Sequence, residues 1–324
     1  MPRYIVRRLL QMLPLMVGIS MVVFALIQAA PGGPEAALLS SGRFIDPSVV
    51  EAYRMKLGVD QPLPVQYARW AAAAATGDLG LSYSTSRPVA RMILERLPAT
   101  LELMGSAFLI AAFLAACIGF ASALRPHSWI DLLGTGAAFL GIAMPVFWLG
   151  LILQLAFAVE LGLLPVSGTH TVGTASLADH LRHLVLPAIV LASRYVASWS
   201  RYFRASLIAV LESDFIRTAR AQGVGEARVL FGHAMRNALA PVVSAMALGL
   251  ADLVSGAVIT ETVFAWPGTG RLFVQAMFAR DYPVLMGILL MGSLAVLVFN
   301  LVADVVYGLL DPRIPDAARR PTWY

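Results

Sequence analysis

Arg217-Thr-Ala-Arg-Ala-Gln-Gly-Val-Gly-Glu-Ala-Arg228, running on to His233-Ala-Met-Arg-Asn-Ala-Leu-Ala-Pro241, is a basic, amphipathic, glycine-broken segment set between long apolar runs. The side of a membrane on which it lies orients every run around it. The chain of 324 residues is 59% hydrophobic and 13% charged, with a mean hydropathy of +0.75. Soluble domains carry about 25% charged residues, so this composition describes an integral membrane protein that has kept one elaborate polar loop.

A bilayer core needs roughly 20 apolar residues per helix. Six runs qualify, near 9–30, 99–124, 132–159, 185–204, 238–260 and 284–309. The first follows Arg3, Arg7 and Arg8, as a signal peptide would, but it exceeds the usual apolar core of a signal peptide. Pro31-Gly32-Gly33-Pro34 stands where a cleavage site would be, so it reads as an uncleaved first helix. The fourth run is punctuated by Arg194, Arg201 and Arg204, which requires an early exit or snorkelling side chains. With six spans, the N-terminal arginines, those of 194–237 and Arg313, Arg319 and Arg320 of the tail share one side. The positive-inside rule makes that side cytoplasmic. The expected fold is therefore all-α and polytopic, with six transmembrane helices and both termini cytoplasmic. Residues 1–30 form the first unit, 31–98 an external cap, and 99–324 a five-helix core with its cytoplasmic loop at about 205–237.

In the cap, Ser48 to Leu57 reads as a capped helix ended by Gly58. Pro64 to Ala75 reads as a second, closed by Thr76-Gly77-Asp78, and Pro88 to Leu97 as a third amphipathic stretch. Lys56 is the only lysine, so the net charge of +5 is an arginine charge, and loops account for it better than nucleic acid does. Cys117, the one cysteine, excludes an internal disulfide and a zinc motif and reads as a small buried hydrophobe. There is no Gly-Lys-Ser/Thr phosphate loop, so the chain does not bind ATP in that manner. Energy must come from a partner.

Within the polar loop, Glu212-Ser213-Asp214 offers a break and a new N-cap. From Phe215 to Gln222, Phe215, Ile216 and Ala219 fall on one side and Arg217 and Arg220 on the other. Gly223 and Gly225 allow a sharp turn, and a second helical stretch, Glu226 to Met235, leads to the fifth span, with Pro241 near its first turn. A helix with small residues at a membrane surface fits a cleft on a partner.

Here the chain resembles the permease subunits of bacterial ABC importers in the dipeptide, oligopeptide and nickel branch. Their cytoplasmic Glu-Ala-Ala loop carries a central glycine and docks into the ATPase as a coupling helix. In register, Arg217, Thr218 and Ala219 stand at the Glu-Ala-Ala positions and Gly223 at the glycine. The glutamate is missing, Arg236 replaces the usual proline, and the proline is delayed to Pro241. These departures fit the peptide and nickel branch, whose loop resembles Ala219-Arg-Ala-Gln-Gly223 followed by His233-Ala-Met-Arg-Asn237. The likeness extends through Tyr4-Ile-Val-Arg-Arg-Leu9, Ala29-Ala-Pro-Gly-Gly-Pro34, Gly77-Asp-Leu-Gly80, Leu97-Pro-Ala-Thr-Leu-Glu-Leu103, Pro145-Val-Phe-Trp148, Glu261-Thr-Val-Phe-Ala-Trp-Pro-Gly-Thr-Gly-Arg271, Asp281-Tyr-Pro283 and Asp311-Pro-Arg313.

The resemblance implies half of a translocation path for di- or oligopeptides, worked by alternating access in a bacterial inner membrane. Nickel, glutathione or another small solute is the alternative cargo. It implies a second, different permease subunit, two cytosolic ABC ATPases that use ATP and Mg, and an external solute-binding protein. No cofactor is bound by this chain and it is not itself an enzyme. Its ATPase-coupling residues would be Arg217, Thr218, Ala219, Arg220, Ala221, Gln222, Gly223, His233 and Arg236.

Other residues invite weighing. Asn300 and Asp304 lie one turn apart in the sixth run, either on the path or as a structural pair; the latter is favoured because Asp304 is near the cytoplasmic end. Pro145 bends the third run, either as a bend beside the path or as a packing kink. Glu261 opens a stretch through Trp266-Pro-Gly that either shapes an outer gate or anchors at the interface. His180 and His183 have an i, i+3 spacing beside Asp179, but the donor set is too sparse for a metal. Ser167 lacks the surroundings of a nucleophile, which argues against an intramembrane enzyme. Few buried ionisable groups and no internal repeat argue against an ion-coupled secondary transporter.

Overall fold

The computed structural model describes residues 2–29, 61–174 and 176–310. The expected helix Ser48–Leu57, the Pro31–Pro34 turn and the tail arginines lie outside these residues. Within them the regular structure is helical, apart from one isolated bridge between Leu81 and Pro88. Helix α1 spans Pro2–Ala29, α2 Leu63–Ala75, α3 Val89–Leu124, α4 Trp129–Ala143 and α5 Val146–Leu153. A π-helical segment, Gln154–Glu160, extends α5; α6 follows as Leu177–Leu211 and α7 as Asp214–Ala221. A second π-helical segment, Arg228–Ala234, leads into α8 (Met235–Val263), and α9 (Thr269–Ala279) and α10 (Tyr282–Leu310) complete the order.

Among the described residues four stretches are long and apolar enough to cross a membrane: Val6–Ala29, Val89–Leu124, Arg228–Ala251 and Tyr282–Val306. A fifth forms if Trp129–Gly141 and Val146–Glu160, bent by 108°, count as one span. The bend falls at Pro145, which has no N–H to bond back to the preceding turn. Helix α6, at 35 residues, is also long enough, about 52 Å at 1.5 Å per residue, but its arginines, Arg182, Arg194, Arg201 and Arg204, lower its hydropathy. The protein is thus an all-α polytopic membrane protein.

Helix α6 is the axis of the bundle. It packs most extensively on α3 and also on α8 and α4. The α3–α6 seam is close because α3 presents Ala107, Ala111, Ala115 and Gly119 at four-residue spacing, all four buried. A Cβ at Gly119 would stand 2.8 Å from the Ser200 carbonyl oxygen. Small residues on one helical stripe let two backbones approach in lipid. Trp199, buried on the same helix, lies so close to Gly249 of α8 that a Cβ there would meet its ring at 2.8 Å.

Two corrections concern α3. The amphipathic stretch Pro88–Leu97 is not a separate helix: it is the start of α3, which runs straight through Pro98. Cys117 is exposed on α3, since the buried stripe at 107, 111, 115 and 119 leaves it on the outer face.

Contacts sort the molecule into two ends. One holds the α2–α3 connection, the loop between α5 and α6, and α9. The other holds the α3–α4 and α6–α8 connections. Arg8 of α1 bonds Asp304 of α10 at 3.1 Å. Helix α10 starts among the first group, so the start of α1 and the end of α10 share the second end.

Candidate functional site

The second end carries the polar loop. Helix α7 is only eight residues long and is held by one anchor. Ile216 is wholly buried and clusters with Ala123, Phe203, Leu207, Val229, Ala234, Ala238 and Val242. Ala219 packs against that cluster from half-buried. Successive helical residues turn by 100°, so Phe215 does not join Ile216: it is 47% exposed, a correction to the expected apolar face. Arg217, Thr218, Arg220, Ala221, Gln222, Gly223, His233 and Arg236 are all exposed.

The end of α7 is built for a tight reversal. Gly223 has φ +78°, the left-handed region that glycine enters without cost. Its N–H bonds the Arg220 carbonyl, and the Val224 N–H bonds that of Ala219 at 3.2 Å. Arg220 spans the turn to Glu226, donating at 2.6 Å and 3.2 Å. That guanidinium holds the Glu226 carboxyl below its usual range. The lead-in to α8 is π-helical rather than α-helical, and Pro241 lies inside α8 rather than at its first turn.

Above the loop, Arg204 of α6 grips Asp131 of α4 with two bonds of 2.6 Å. Asp131 also accepts from the His127 N–H at 3.0 Å and is 5% exposed. Arg201 lies over the Phe139 ring at 5.3 Å. These contacts explain how α6 carries arginines where its apolar run ends. Asp131 went unnoticed in sequence, although Ser128 three residues earlier caps α4 by accepting from its N–H.

At the opposite end, Glu261 is fully buried. It accepts from Thr100 Oγ1 at 2.7 Å and from the Arg271 N–H at 3.0 Å, so it caps the start of α9. The Thr269 N–H donates to Thr100 Oγ1 at 2.8 Å. Trp266 is no interfacial anchor: it is wholly buried and donates to the Ala99 carbonyl at 2.8 Å. Asp281, also buried, receives Ser82 Oγ at 2.5 Å, Ser84 Oγ at 2.7 Å and the Tyr83 and Ser84 N–H groups. It pins the segment after α2 to the α9–α10 corner.

His180 and His183 diverge. His180 reaches Glu102 at 2.6 Å and the Thr169 carbonyl at 3.1 Å, while His183 meets the Asp179 carbonyl at 2.9 Å. Among the described residues no group of three or more His, Cys, Asp or Glu side chains is placed to hold a metal ion. Asp304 takes Arg8 of α1. Pro145 sits at the helix break.

Residues 109–315 match the family described as binding-protein-dependent transport system inner membrane component, and residues 1–104 match its N-terminal counterpart. The chain is 41% identical to the oligopeptide transport system permease protein AppB of Bacillus subtilis, over 97% of this chain and 99% of that one. It is 40% identical to the di/tripeptide transport system permease protein DppB of Pseudomonas aeruginosa, over 96% and 98%. The glutathione transport system permease protein GsiC of Escherichia coli is also 40% identical, over 97% and 99%. Among solved structures, an amino acid ABC transporter crystallised with histidines aligns with a TM-score of 0.52 at 15% identity, over 67% of this chain and 93% of that chain. That likeness speaks for the fold alone.

Proposed function

The chain belongs to the family of binding-protein-dependent transport system inner membrane components, and from that premise we propose that it forms half of an ATP-driven import path for short peptides. It is a transport subunit of a bacterial inner membrane. The cargo reading rests on relatives named for oligopeptides and di/tripeptides. Glutathione, itself a tripeptide, falls within the same class and has its own named relative.

The observation that carries the mechanism is α7. A short helix rooted by Ile216 in the core, with its outward face free of core packing, is a lever that a cytosolic partner pushes. Phe215, Ala221 and the Gly223 turn offer a compact surface to a groove, and Arg217 offers charge. Two ATPase subunits engage this helix and that of a second, different permease. ATP-driven closure then moves both, the permeases rock between outward- and inward-facing states, and an external binding protein delivers the cargo.

Gly223→Glu tests this. Its added side chain meets open space, so the damage is to the left-handed turn and the docking face, not to the core. The expected outcome is a complex still in the membrane that hydrolyses ATP but imports labelled dipeptide at about a tenth of the normal rate or less. Coupled transport at the normal rate rejects the α7 assignment. Import that persists after ATP is exhausted rejects the ATP-driven reading. Uptake of glutathione but no dipeptide narrows the cargo.

A further inference from the structure

Beyond Arg182, helix α6 carries three more arginines, and two of them have partners. Arg204 is gripped by Asp131, and Arg201 lies over the Phe139 ring. Arg194 is exposed, and among the described residues no hydrogen bond or ion pair reaches its guanidinium. It also lies deepest. Along the helix it is about 18 Å from Arg182 and about 15 Å from Arg204, at 1.5 Å per residue. Arg182 is held by the Leu163 carbonyl of the α5–α6 loop, so Arg182 and Arg204 bound a stretch about as long as the roughly 30 Å hydrocarbon core. A charge in the middle of that core is costly against lipid; it faces the protein interior or a water-filled cavity. We propose that Arg194 faces the translocation path and binds the C-terminal carboxylate of the peptide cargo, an inference that rests on the peptide-import reading above.

Two observations favour cargo over a fixed partner. The first is that Arg194 is not an isolated polar point. Arg194, Ser198, Arg201 and Ala205 follow one another at three- and four-residue steps on one face of α6, and none of the four is buried. A stripe with two guanidinium groups, a hydroxyl and no carboxylate needs water along its length, which a path supplies and a lipid face does not. The second is that the stripe begins at a helix break. Next to Arg194 on α6, the Ser193 carbonyl oxygen stands 3.2 Å from where a Cβ of Gly141, near the end of α4, would be. One turn away, Val190 belongs to a cluster against which Val146 and Leu149 of α5 pack. Arg194 is therefore level with the 108° bend between α4 and α5. Transporters place their cargo sites beside broken helices near the middle of the membrane, where the break frees backbone groups to face the solute. The chemistry fits as well. A guanidinium takes a carboxylate through two parallel bonds, and every unmodified peptide ends in a carboxylate whatever its side chains, so a grip there admits many sequences.

The test uses the assembled transporter in proteoliposomes, driven by ATP and by binding protein loaded with labelled dialanine or with its C-terminal amide. Removing the carboxylate and replacing Arg194→Gln break the same contact. Each change alone is expected to slow import about tenfold, as loss of a charged hydrogen bond does, and both together no more than either one. The half-saturating concentration of loaded binding protein should not move, because delivery precedes the contact; a shift there would place the effect at docking and overturn the proposal. Effects that multiply to about a hundredfold give Arg194 a merely structural role and overturn it too. So does normal import of dialanine by Arg194→Gln, or wild-type import of the amide as fast as the acid. Loss of the second permease from the Arg194→Gln complex assigns the arginine to an ion pair between subunits instead. Arg194→Cys in a Cys117→Ala background reads its position without cargo: a charged, water-soluble methanethiosulfonate should label it, and absence of labelling overturns the water-facing placement. A wild type that imports neither dialanine nor its amide marks the failure of the peptide reading itself, distinct from normal wild-type import with an insensitive Arg194→Gln.

Discussion

Glu261 shows what a single buried carboxylate does at the outer end. An uncompensated acid in this position would be costly. Here each oxygen has a donor, Thr100 Oγ1 or the Arg271 N–H, and the start of α9 brings the positive end of its dipole. The fit leaves no slack: a Cβ at Gly268 would stand 2.2 Å from the Glu261 carboxylate. Gly268→Ala is therefore expected to be destabilising, by about 1–3 kcal/mol from overpacking, read as a lower Tm of the detergent-solubilised protein; an unchanged Tm would refute the tight fit. At the inner end, Ile216→Ala removes the one fully buried residue of α7. Large-to-small core changes cost about 2–5 kcal/mol, and here the loss should be local: faster proteolysis between α6 and α8, with the spans intact. Equal cleavage of mutant and wild type would show that α7 is not rooted there. The short helix and its Gly223 turn were legible in sequence because their residues are contiguous. The Glu261 cluster was not, because Thr100 lies 161 positions away and no local spacing announces the pairing. Asp281 escaped for the same reason, its serine donors being some 200 residues distant.

Among elements, length and hydropathy carried the spans, since roughly 20 apolar residues cross a bilayer whatever they pack against. What they did not carry is continuity. Pro98 sits inside an unbroken α3, whereas Pro145 separates α4 from α5, so the presence of a proline alone does not announce a break. α4 and α6 are tied at their inner ends by Asp131 and Arg204, with side chains 7% and 28% exposed. Removing one member of a buried pair costs about 3–5 kcal/mol, and the partial exposure of Arg204 places Asp131→Ala at or below the lower edge of that range. The charge swap Asp131→Arg with Arg204→Asp should recover part of the lost Tm, and no recovery would argue against a pairwise role. The Arg220–Glu226 bridge across the Gly223 turn has a different signature. Glu226 titrates below its ordinary value because of Arg220. Its contribution is therefore full above the ordinary glutamate range and lost as pH falls through the lowered value. Being exposed, it should also weaken with salt. ATPase docking should be insensitive to pH between 6 and 8 on its account, and Glu226→Gln should remove whatever part of its salt dependence this bridge supplies.

For the whole molecule the open quantity is which end faces the cytosol, and charge answers it. Arg7, Arg8, Arg125, Arg201, Arg204, Arg217, Arg220, Arg228 and Arg236 gather at the end of the α7 loop, against Asp131, Glu212, Asp214, Glu226 and Asp304. At the other end Arg69, Arg87, Arg91, Arg96, Arg182, Arg271 and Arg280 face Asp78, Glu95, Glu102, Glu160, Asp179, Glu261 and Asp281. Arginine excess next to short loops retains them in the cytoplasm during insertion. On this ground we propose that the α7 end is cytosolic and the Val172 loop external. The loop between α5 and α6 is well tethered, through Gln154 to Val166, Arg182 to Leu163 and Asp179 to Thr171, yet its tip residue Val172 is fully exposed. It is thus a fixed, accessible reporter. With Cys117 replaced by alanine, the chain has no other thiol. In intact cells stripped of their outer barrier, a membrane-impermeant maleimide is expected to label Val172→Cys at once. Gln222→Cys, exposed beside the Gly223 turn, should label only after the inner membrane is opened. The reverse pattern would invert the topology and place α7 where no ATPase reaches it, while labelling of both in intact cells would mean that the six runs do not alternate across the bilayer.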